Sequence, residues 1–167
     1  MLDARKEVLG ISCTIVKRMV LPGGYPSEIS YSFFAQDTTG AVWCFGEDRN
    51  FSSGGVVVSK EGSWEAGVDG AKPGVIIPSV PHIGQVYRQE YLACVAEDMS
   101  EVLDVDASVT VPHGPYTGCL CTHEYTPLDS RINMTRYYAR GVGLVLTVNE
   151  TAGIREELVE ALASPCP

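Results

Sequence analysis

The chain has 167 residues, 45% of them hydrophobic and 20% charged, and its 21 acidic and 12 basic side chains give a net charge of −9. A chain of this length buries roughly two-thirds of its unfolded surface, so we expect one domain spanning residues 1–167. The composition excludes a disordered chain, no apolar run reaches the ~18 residues of a membrane-spanning helix, and the negative charge argues against nucleic acid as a partner.

Apolar runs rich in β-branched and aromatic residues recur along the chain, separated by Gly and Pro at roughly the 8 to 12 residue spacing of an all-β domain. The predicted strands are Ile11–Val16, Glu28–Asp37, Val42–Glu47, Val56–Glu65, Val75–Ile77, Gln85–Cys94, Val105–Val111, Leu120–Thr126, Met134–Ala139 and Gly143–Asn149. Residues 96–103 have some helix propensity, but the period-2 pattern after them favours strand. Residues 155–162 fit either a helix or a closing strand.

The clearest local signal is a hairpin, in which two apolar runs flank Thr38-Thr39-Gly40. Its short Gly-bearing turn predicts antiparallel pairing, with the aromatic side chains packed inward. The segment 66–74 is dense in Gly and Pro, and we expect it to be an irregular loop.

These patterns predict an all-β fold, either a single antiparallel β-barrel of lipocalin-like form or a strongly curved β-sandwich. The barrel is favoured because closure removes the exposed strand edges that a chain with few edge prolines would otherwise present.

The six cysteines permit disulfides but show no zinc-type Cys-x-x-Cys pair. Cys13, Cys44 and Cys94 lie in apolar runs and are expected to be buried free thiols. Cys119, Cys121 and His123 alternate on a predicted strand, so their side chains would point the same way, towards a soft metal or a redox pair. Burial of both thiols, or a disulfide between one of them and another cysteine, is favoured over these two, and we assign no metal site and no cofactor.

The acidic residues between Glu97 and Asp106 lack the glycine of an EF-hand loop and are interpreted as a solvated face rather than a calcium site. None of the three histidines forms a recognisable pair with a nucleophile, and the chain contains no Gly-x-Ser-x-Gly motif and no phosphate-binding glycine loop.

The candidate catalytic residues are Arg88, Glu90 and Tyr87 on the predicted strand Gln85–Cys94. If Arg88 and Glu90 face a cavity, the guanidinium suits a carboxylate or enolate and the carboxylate suits a general base. If they face solvent, they form a surface pair of little energetic value. The second interpretation is slightly favoured.

The candidate ligand-binding residues are aromatic side chains that could form a cage and polar groups that could orient a ligand within it, although such aromatics more often belong to the core. They are Trp43, Glu47, Trp64, Asp69, Gln89, Tyr137 and Tyr138.

A series of short motifs resembles a family of uncharacterised bacterial β-rich proteins over residues 10–162. The motifs are FAQD at 34–37, VW at 42–43, FGED at 45–48, EGSWEAGVDGA at 61–71, PG at 73–74, YRQEY at 87–91, AEDM at 96–99, YYA at 137–139 and GVGLV at 141–145. The resemblance implies a secretion or lipoprotein leader and an extracytoplasmic location, although residues 1–7 lack the apolar region of a signal peptide. It also implies a β-hairpin ahead of Glu7, which this sequence lacks. Cys121 and His123 differ from the family pattern, in which ordinary polar or basic residues are expected at these positions.

The resemblance carries no activity. We therefore expect a β-barrel domain that binds a small molecule. One alternative is a barrel enzyme of the isomerase, cyclase or lyase type, in which Arg88, Glu90 or Tyr87 polarises the substrate. A second alternative is a cell-surface interaction domain without a cavity.

Overall fold

The computed structural model describes residues 4–21 and 24–161, and these residues form two antiparallel sheets with no α-helix. The described strands are β1 (Arg5–Val8), β2 (Ile11–Val20), β3 (Glu28–Gln36), β4 (Val42–Ser53), β5 (Val56–Ser59), β6 (Trp64–Glu65), β7 (Lys72–Ile77), β8 (Val86–Arg88), β9 (Glu90–Tyr91), β10 (Met99–Val111), β11 (Gly114–Thr126), β12 (Asp129–Ala139), β13 (Gly143–Asn149) and β14 (Ile154–Glu157). The all-β prediction is therefore confirmed.

The chain divides into two compact units that alternate along the sequence. The first unit consists of Met1–Val80 and Arg88–Asp98, and the second consists of Pro81–Tyr87 and Met99–Pro167. The first sheet has the order β1-β2-β3-β4-β7-β9, with β5 and β6 also paired to β4, and the second has the order β14-β13-β12-β11-β10-β8. The expectation of a single domain stays a prediction.

Strand β4 organises the first sheet because it has partners along both sides. One side pairs with β3 from Val42 to Phe51, and the other pairs in turn with β7, β6 and β5. The buried core of this unit includes Cys13, Phe33 and Trp64. The central strand therefore holds together segments that are far apart in sequence.

Gly46 lets β6 approach β4. A β-carbon built at Gly46 would lie 2.6 Å from the backbone oxygen of Trp64, and the residue has a φ of +150°. Only glycine tolerates both the close backbone and the positive φ without strain. Gly74 on β7 is similarly constrained, since a β-carbon there would lie 2.3 Å from the backbone oxygen of Gln89.

The predicted hairpin is confirmed, and Asp37 accounts for its turn. Its carboxylate accepts hydrogen bonds from the backbone N–H groups of Thr39 and Ala41 at 2.8 and 3.1 Å, and from the Thr39 hydroxyl at 2.6 Å. The indole N–H of Trp43 donates to the second oxygen at 2.8 Å. The side-chain hydrogen bonds from Thr39 and Trp43 lower the pKa of Asp37 to about 2, so the turn is held by a charged acceptor.

A closed barrel is not confirmed. Among the described strands, the first sheet ends at β1 and β9 and the second at β14 and β8. These terminal strands have four residues or fewer, which is one way in which proteins limit an exposed sheet edge. The sheet edges that closure was expected to remove are therefore short in this structure.

Three predicted segments differ from the structure. The predicted strand 85–94 is interrupted at Gln89, and its two parts, β8 and β9, belong to different sheets. The predicted strand 56–65 is divided into β5 and β6 by a turn at 60–63. The predicted loop 66–74 contains a tight turn at Asp69-Gly70, where both residues have positive φ, and its last three residues begin β7. An Asp-Gly pair with two positive φ values is typical of a hairpin turn, which shortens the loop.

The second sheet is built on the long hairpin of β10 and β11, whose ladder contains three register shifts. Residues 96–103 enter β10 at Met99, as the period-2 pattern predicted. In the C-terminal region, β14 confirms the strand alternative for 155–157, whereas Leu162 and Cys166 lie outside the described residues.

We expect Gly46→Ala to destabilise the protein by about 2 kcal/mol more than Gly114→Ala, because a β-carbon at position 46 meets backbone that has no room to move. Gly114 is a matched control with a φ of +151° and nothing within 4 Å of the added carbon. Urea unfolding of the two variants and the wild type gives the comparison. Equal losses of stability in the two variants would show that the positive φ, and not the approach of β6, explains why position 46 requires glycine.

Candidate functional site

Three of the predicted site residues, Glu47, Trp64 and Glu90, come together in the first unit. Glu47 on β4 is the cross-strand partner of Trp64 on β6. Glu90 on β9 pairs with Pro73 on β7, and both Glu47 and Trp64 act on its carboxyl group. Residues from five sequence segments therefore contribute to one group, which we call the Glu90 cluster. Its members are Glu28, Glu47, Arg49, Trp64, Glu90 and Asp98.

Glu90 has the most unusual electrostatic environment in this cluster. Burial of the carboxyl raises its pKa to about 8, and the negative charges of Asp98 and Glu47 contribute to the rise. The Trp64 N–H and Arg49 act in the opposite direction but do not offset it. Glu90 is only partly buried as a whole residue, whereas burial of its carboxyl is the largest cause of the raised pKa. At neutral pH, Glu90 is therefore mainly a neutral acid.

Arg49 is the cation of the cluster, and it is already engaged. Its guanidinium donates from Nε and Nη2 to Glu28 Oε1 at 3.2 and 3.1 Å, and its Nε lies 3.8 Å from Glu47 Oε2. Its side chain is 33% exposed, against 19% for Glu47 and 14% for Glu28. Glu47 also accepts a hydrogen bond from the Ser32 hydroxyl at 3.1 Å. The cluster therefore reaches solvent chiefly through Arg49 and keeps an excess of negative charge.

Trp64 forms the buried side of the cluster. The residue is 5% exposed, and its indole Nε1 has no hydrogen-bond partner of ordinary geometry among the described residues. The same N–H is nevertheless close enough to the Glu90 carboxyl to lower its pKa. A buried donor without a hydrogen-bond partner costs free energy. The Trp64 N–H therefore lacks a full acceptor among the described residues.

The other predicted residues of the first unit lie apart from these contacts. Arg88 is exposed, with its guanidinium 4.9 Å from the centre of the Tyr91 ring. Trp43 donates to Asp37 and stabilises the hairpin. Asp69 is exposed in its tight turn. Gln89 is buried, and its side-chain Nε2 has no hydrogen-bond partner among the described residues.

Tyr87, Tyr137 and Tyr138 belong to the second unit and not to the Glu90 cluster. Burial raises the pKa of Tyr87 to about 12, while a hydrogen bond with Ser100 opposes the rise. Tyr137 is the cross-strand partner of Cys121, and burial followed by the Cys121 thiol raises its pKa. The predicted arrangement of Arg88, Glu90 and Tyr87 as one catalytic group stays a prediction without support from these positions.

Tyr138 takes part in a buried polar network centred on Glu124. Its hydroxyl donates to Glu124 Oε1 at 2.7 Å, and the Thr122 hydroxyl donates to the same oxygen at 3.0 Å. Arg136 Nη1 lies 2.6 Å from the second carboxylate oxygen. Glu124 is 4% exposed, and both of its oxygens are satisfied. This arrangement is typical of a structural network and not of a ligand site.

The cysteines of the described residues are all free thiols. Burial is confirmed for Cys13, Cys44, Cys119 and Cys121, but the prediction for Cys94 is wrong. Cys94 is exposed in the turn that joins Leu92 to Ala96, and it has a φ of +62°.

His123 contacts Asn133 and Tyr125 on the second sheet. Its Nε2 lies 2.7 Å from Asn133 Oδ1, and its ring stacks on Tyr125. Among residues 4–21 and 24–161, no group of three or more His, Cys, Asp or Glu side chains is placed to hold a metal ion.

Two hollows are lined by residues other than the members of the Glu90 cluster. One, of about 610 Å³, is lined in the first unit by Tyr25, Pro26, Ile29, Ser52, Gly54 and Gly55. The other, of about 190 Å³, is lined in the second unit by residues 144–147 and 156–158. Neither hollow brings together polar groups with a buried, unpaired donor, so the Glu90 cluster remains the stronger candidate site.

Comparison of the chain with protein-family models, curated proteins and solved structures finds no match. The resemblance to a bacterial family therefore stays a prediction. Within the part of the chain that the structure describes, no helix is both long and apolar enough to cross a membrane.

Sequence reasoning missed Glu28, Arg49 and Asp98. A signal was present for Arg49, because residues 47 and 49 are two apart on a strand and therefore point to the same side. No comparable signal existed for Glu28 and Asp98, since their positions depend on how β3 and the segment before β10 pair in space.

Glu90→Gln should flatten the dependence of stability on pH. Since the folded-state pKa of Glu90 is raised from 4.5 to about 8, wild-type stability should fall by about 3–5 kcal/mol as pH rises from 4.5 to 8. The neutral glutamine lacks this loss, so the variant should match wild type near pH 5 and exceed it near pH 8. Urea unfolding at several pH values measures the difference, with exposed Glu61→Gln as the control. Parallel curves for wild type and Glu90→Gln would contradict the prediction.

Tyr138→Phe should destabilise the second unit by about 1–2 kcal/mol, because it removes one of the hydrogen bonds to a buried carboxylate. Tyr125→Phe on the neighbouring strand β11 is the matched control and should have a smaller effect. Thermal and urea unfolding give both values. A loss no larger than that of the control would show that Thr122 and Arg136 satisfy Glu124 without Tyr138.

Proposed function

We propose that this chain is a small-molecule-binding domain and that the Glu90 cluster is its ligand site. The support comes from three properties that occur together there: partial access to solvent, an excess of carboxyl groups, and a buried indole N–H without a full partner. Small-molecule sites typically combine an apolar or aromatic wall with a few polar groups of this kind.

The observation that carries the proposal is the environment of Glu90. A carboxyl whose pKa is raised to about 8 by burial and by two neighbouring acids reduces the stability of the folded protein above pH 4.5. Groups with such perturbed pKa values are concentrated at functional sites. Glu124 is also buried, but it is paired with Arg136 and needs no ligand.

The proposed architecture is the strongly curved alternative and not the closed barrel. The support is the set of register shifts in both sheets, between Ser32 and Phe34 on β3 and along the ladder of β10 and β11. Such irregularities bend a strand and increase its local twist.

A binding screen tests the proposed function. Benzylamine, agmatine, benzoate, benzyl alcohol and glucose serve as probes, and binding is followed by the shift in melting temperature and by isothermal titration calorimetry. We expect at least one chemical class to bind the wild type, and Glu47→Gln and Trp64→Phe to weaken that binding at least tenfold. Glu61→Gln should bind as the wild type does. The proposal would be overturned if no probe bound the wild type, or if both variants bound a probe as tightly as the wild type does.

A second candidate function is catalysis of the isomerase, cyclase or lyase type, which the raised pKa of Glu90 favours. A carboxyl that titrates near neutral pH can both take and return a proton. A probe recovered in chemically altered form, with the alteration lost in Glu90→Gln, would establish this function. The same comparison with Arg88→Ala tests the role predicted for that residue from the sequence.

A further inference from the structure

We propose that the outer edge of β2, over Val16–Val20, binds an extended acidic peptide of another protein as an added β-strand. This edge contains none of the residues of the Glu90 cluster, so the proposal goes beyond the small-molecule site. It follows from the short length of β1, from the direction of the backbone groups on β2 and from the charge of Lys17.

The terminal strand β1 is shorter than its neighbour β2 and covers only part of it. Their ladder begins where Val8 pairs with Ile11 and ends where Arg5 pairs with Thr14. On its other side, β2 pairs with β3 all the way from Thr14 to Val20. Among residues 4–21 and 24–161, no strand pairs with the outer side of Val16–Val20. This stretch is therefore an open edge of the first sheet.

Two observations establish which backbone groups on this edge face outward. The two-residue loop 9–10 has positive φ at both positions, as in a hairpin turn whose flanking residues exchange backbone hydrogen bonds, so Ile11 points its N–H and C=O groups towards β1. The Val20 carbonyl accepts a hydrogen bond at 2.9 Å from the residue before β3, and so points towards β3. These directions alternate along a strand, and no register shift interrupts β2. The N–H and C=O groups of Lys17 and Met19 therefore point outward.

These outward backbone groups are suited to pairing with an incoming strand. Lys17 and Met19 are exposed, and their N–H and C=O groups have no backbone partner in the part of the chain that the structure describes. Because the two residues are two positions apart, their groups have the spacing of a β-ladder. Strands added to a sheet edge obtain affinity from such main-chain hydrogen bonds and specificity from alternate side chains.

The charge of the edge favours an acidic partner. The Lys17 ammonium lies 5.9 Å from the centre of the Tyr31 ring and has no carboxylate partner among the described residues. Arg18 adds a second positive charge, in a chain whose net charge is −9. The carboxylate in the same row of the sheet, that of Asp48, is paired with Lys60 at 3.1 Å. An acidic side chain opposite Lys17 would therefore gain a cross-strand attraction that this chain does not itself supply.

The side chains on the edge define the sequence expected of the incoming strand. Lys17 and Met19 share a face of β2 with the buried Cys13, and Met19 is 46% exposed. An antiparallel strand should place an apolar residue opposite Met19 and, two positions later, an acidic residue opposite Lys17. The residue between them lies opposite Arg18 and should also be acidic. The partner is thus an extended segment of the form apolar-acidic-acidic.

A second copy of this chain fits the edge less well than an acidic peptide. Antiparallel pairing of two copies over the whole of Val16–Val20 would place Arg18, the central residue, opposite the same arginine of the other copy. Like charges directly opposite each other destabilise an antiparallel pair. Charged side chains on exposed edges are one means by which proteins prevent such self-pairing. The same positive charges attract an acidic strand.

Amide hydrogen exchange of the whole chain, followed by NMR, tests the proposal. The probe is the acetylated and amidated peptide Thr-Val-Leu-Glu-Glu-Val-Thr, and its basic analogue has lysine in place of both glutamates. At saturation, we expect the acidic peptide to slow exchange of the Lys17 and Met19 amides by at least about tenfold. The amides of Arg18 and Val20 face β3 and should change much less. No slowing at Lys17 and Met19, or equal slowing at all four amides, would overturn the proposal.

Lys17→Glu supplies a second measurement, by fluorescence anisotropy with labelled forms of the two peptides. The variant should bind the acidic peptide at least about fivefold more weakly than the wild type does, and the basic peptide more tightly. Lys72→Glu is the matched control, because Lys72 is also an exposed lysine beside a tyrosine ring, 5.0 Å from the centre of Tyr91. It should keep the wild-type preference for the acidic peptide.

Three further outcomes would contradict the proposal. Equal affinity of the wild type for the two peptides would overturn the role given to charge. Slow exchange of the Lys17 and Met19 amides without any peptide would show that the edge is already occupied, by a second copy if the effect grows with protein concentration and by the chain itself if it does not. A Lys72→Glu variant that loses binding as Lys17→Glu does would show that net charge, and not the edge, decides affinity. Circular dichroism verifies that both variants are folded.

Discussion

The first unit depends on one constraint, the close approach of β6 to β4 at Gly46. Because this residue has no side chain, the backbone oxygen of Trp64 occupies the space that a β-carbon would need. The approach buries the Trp64 ring in the core and brings its indole N–H to the acidic residues nearby. Packing and electrostatics in this unit therefore originate at the same point, and a change that moves β6 should alter both together.

The fold was predictable from sequence to the extent that it depends on local alternation. The hairpin around Thr38–Gly40 follows from period-2 patterning and a glycine turn, both of which can be seen without the structure. Barrel closure and the continuity of residues 85–94 could not be decided in this way. Both depend on pairing between distant segments, and Gln89 in particular lies beside Gly74, which no local pattern relates to it.

The candidate site, like the fold, was only partly predictable from the sequence. Glu47 and Trp64 were predicted to bind a ligand and Glu90 to act as a catalytic base, and the structure brings these three residues together. Glu28 on β3 and Arg49 on β4 were missed because a charged side chain on a strand usually faces solvent, and only the three-dimensional arrangement shows which ones meet. Glu124 illustrates the converse, since a buried carboxylate with satisfied oxygens stabilises a sheet without marking a ligand site.

The alternation of the two units along the sequence has a consequence for how this protein can be divided or synthesised. During synthesis, residues 81–87, which belong to the second unit, precede β9 and Glu90. Residues 1–80 alone therefore cannot complete the first unit. Neither unit corresponds to a single continuous stretch of the gene product. A cut after Val80 or after Tyr87 would therefore separate Glu90 from Trp64, whereas a cut after Asp98 would not.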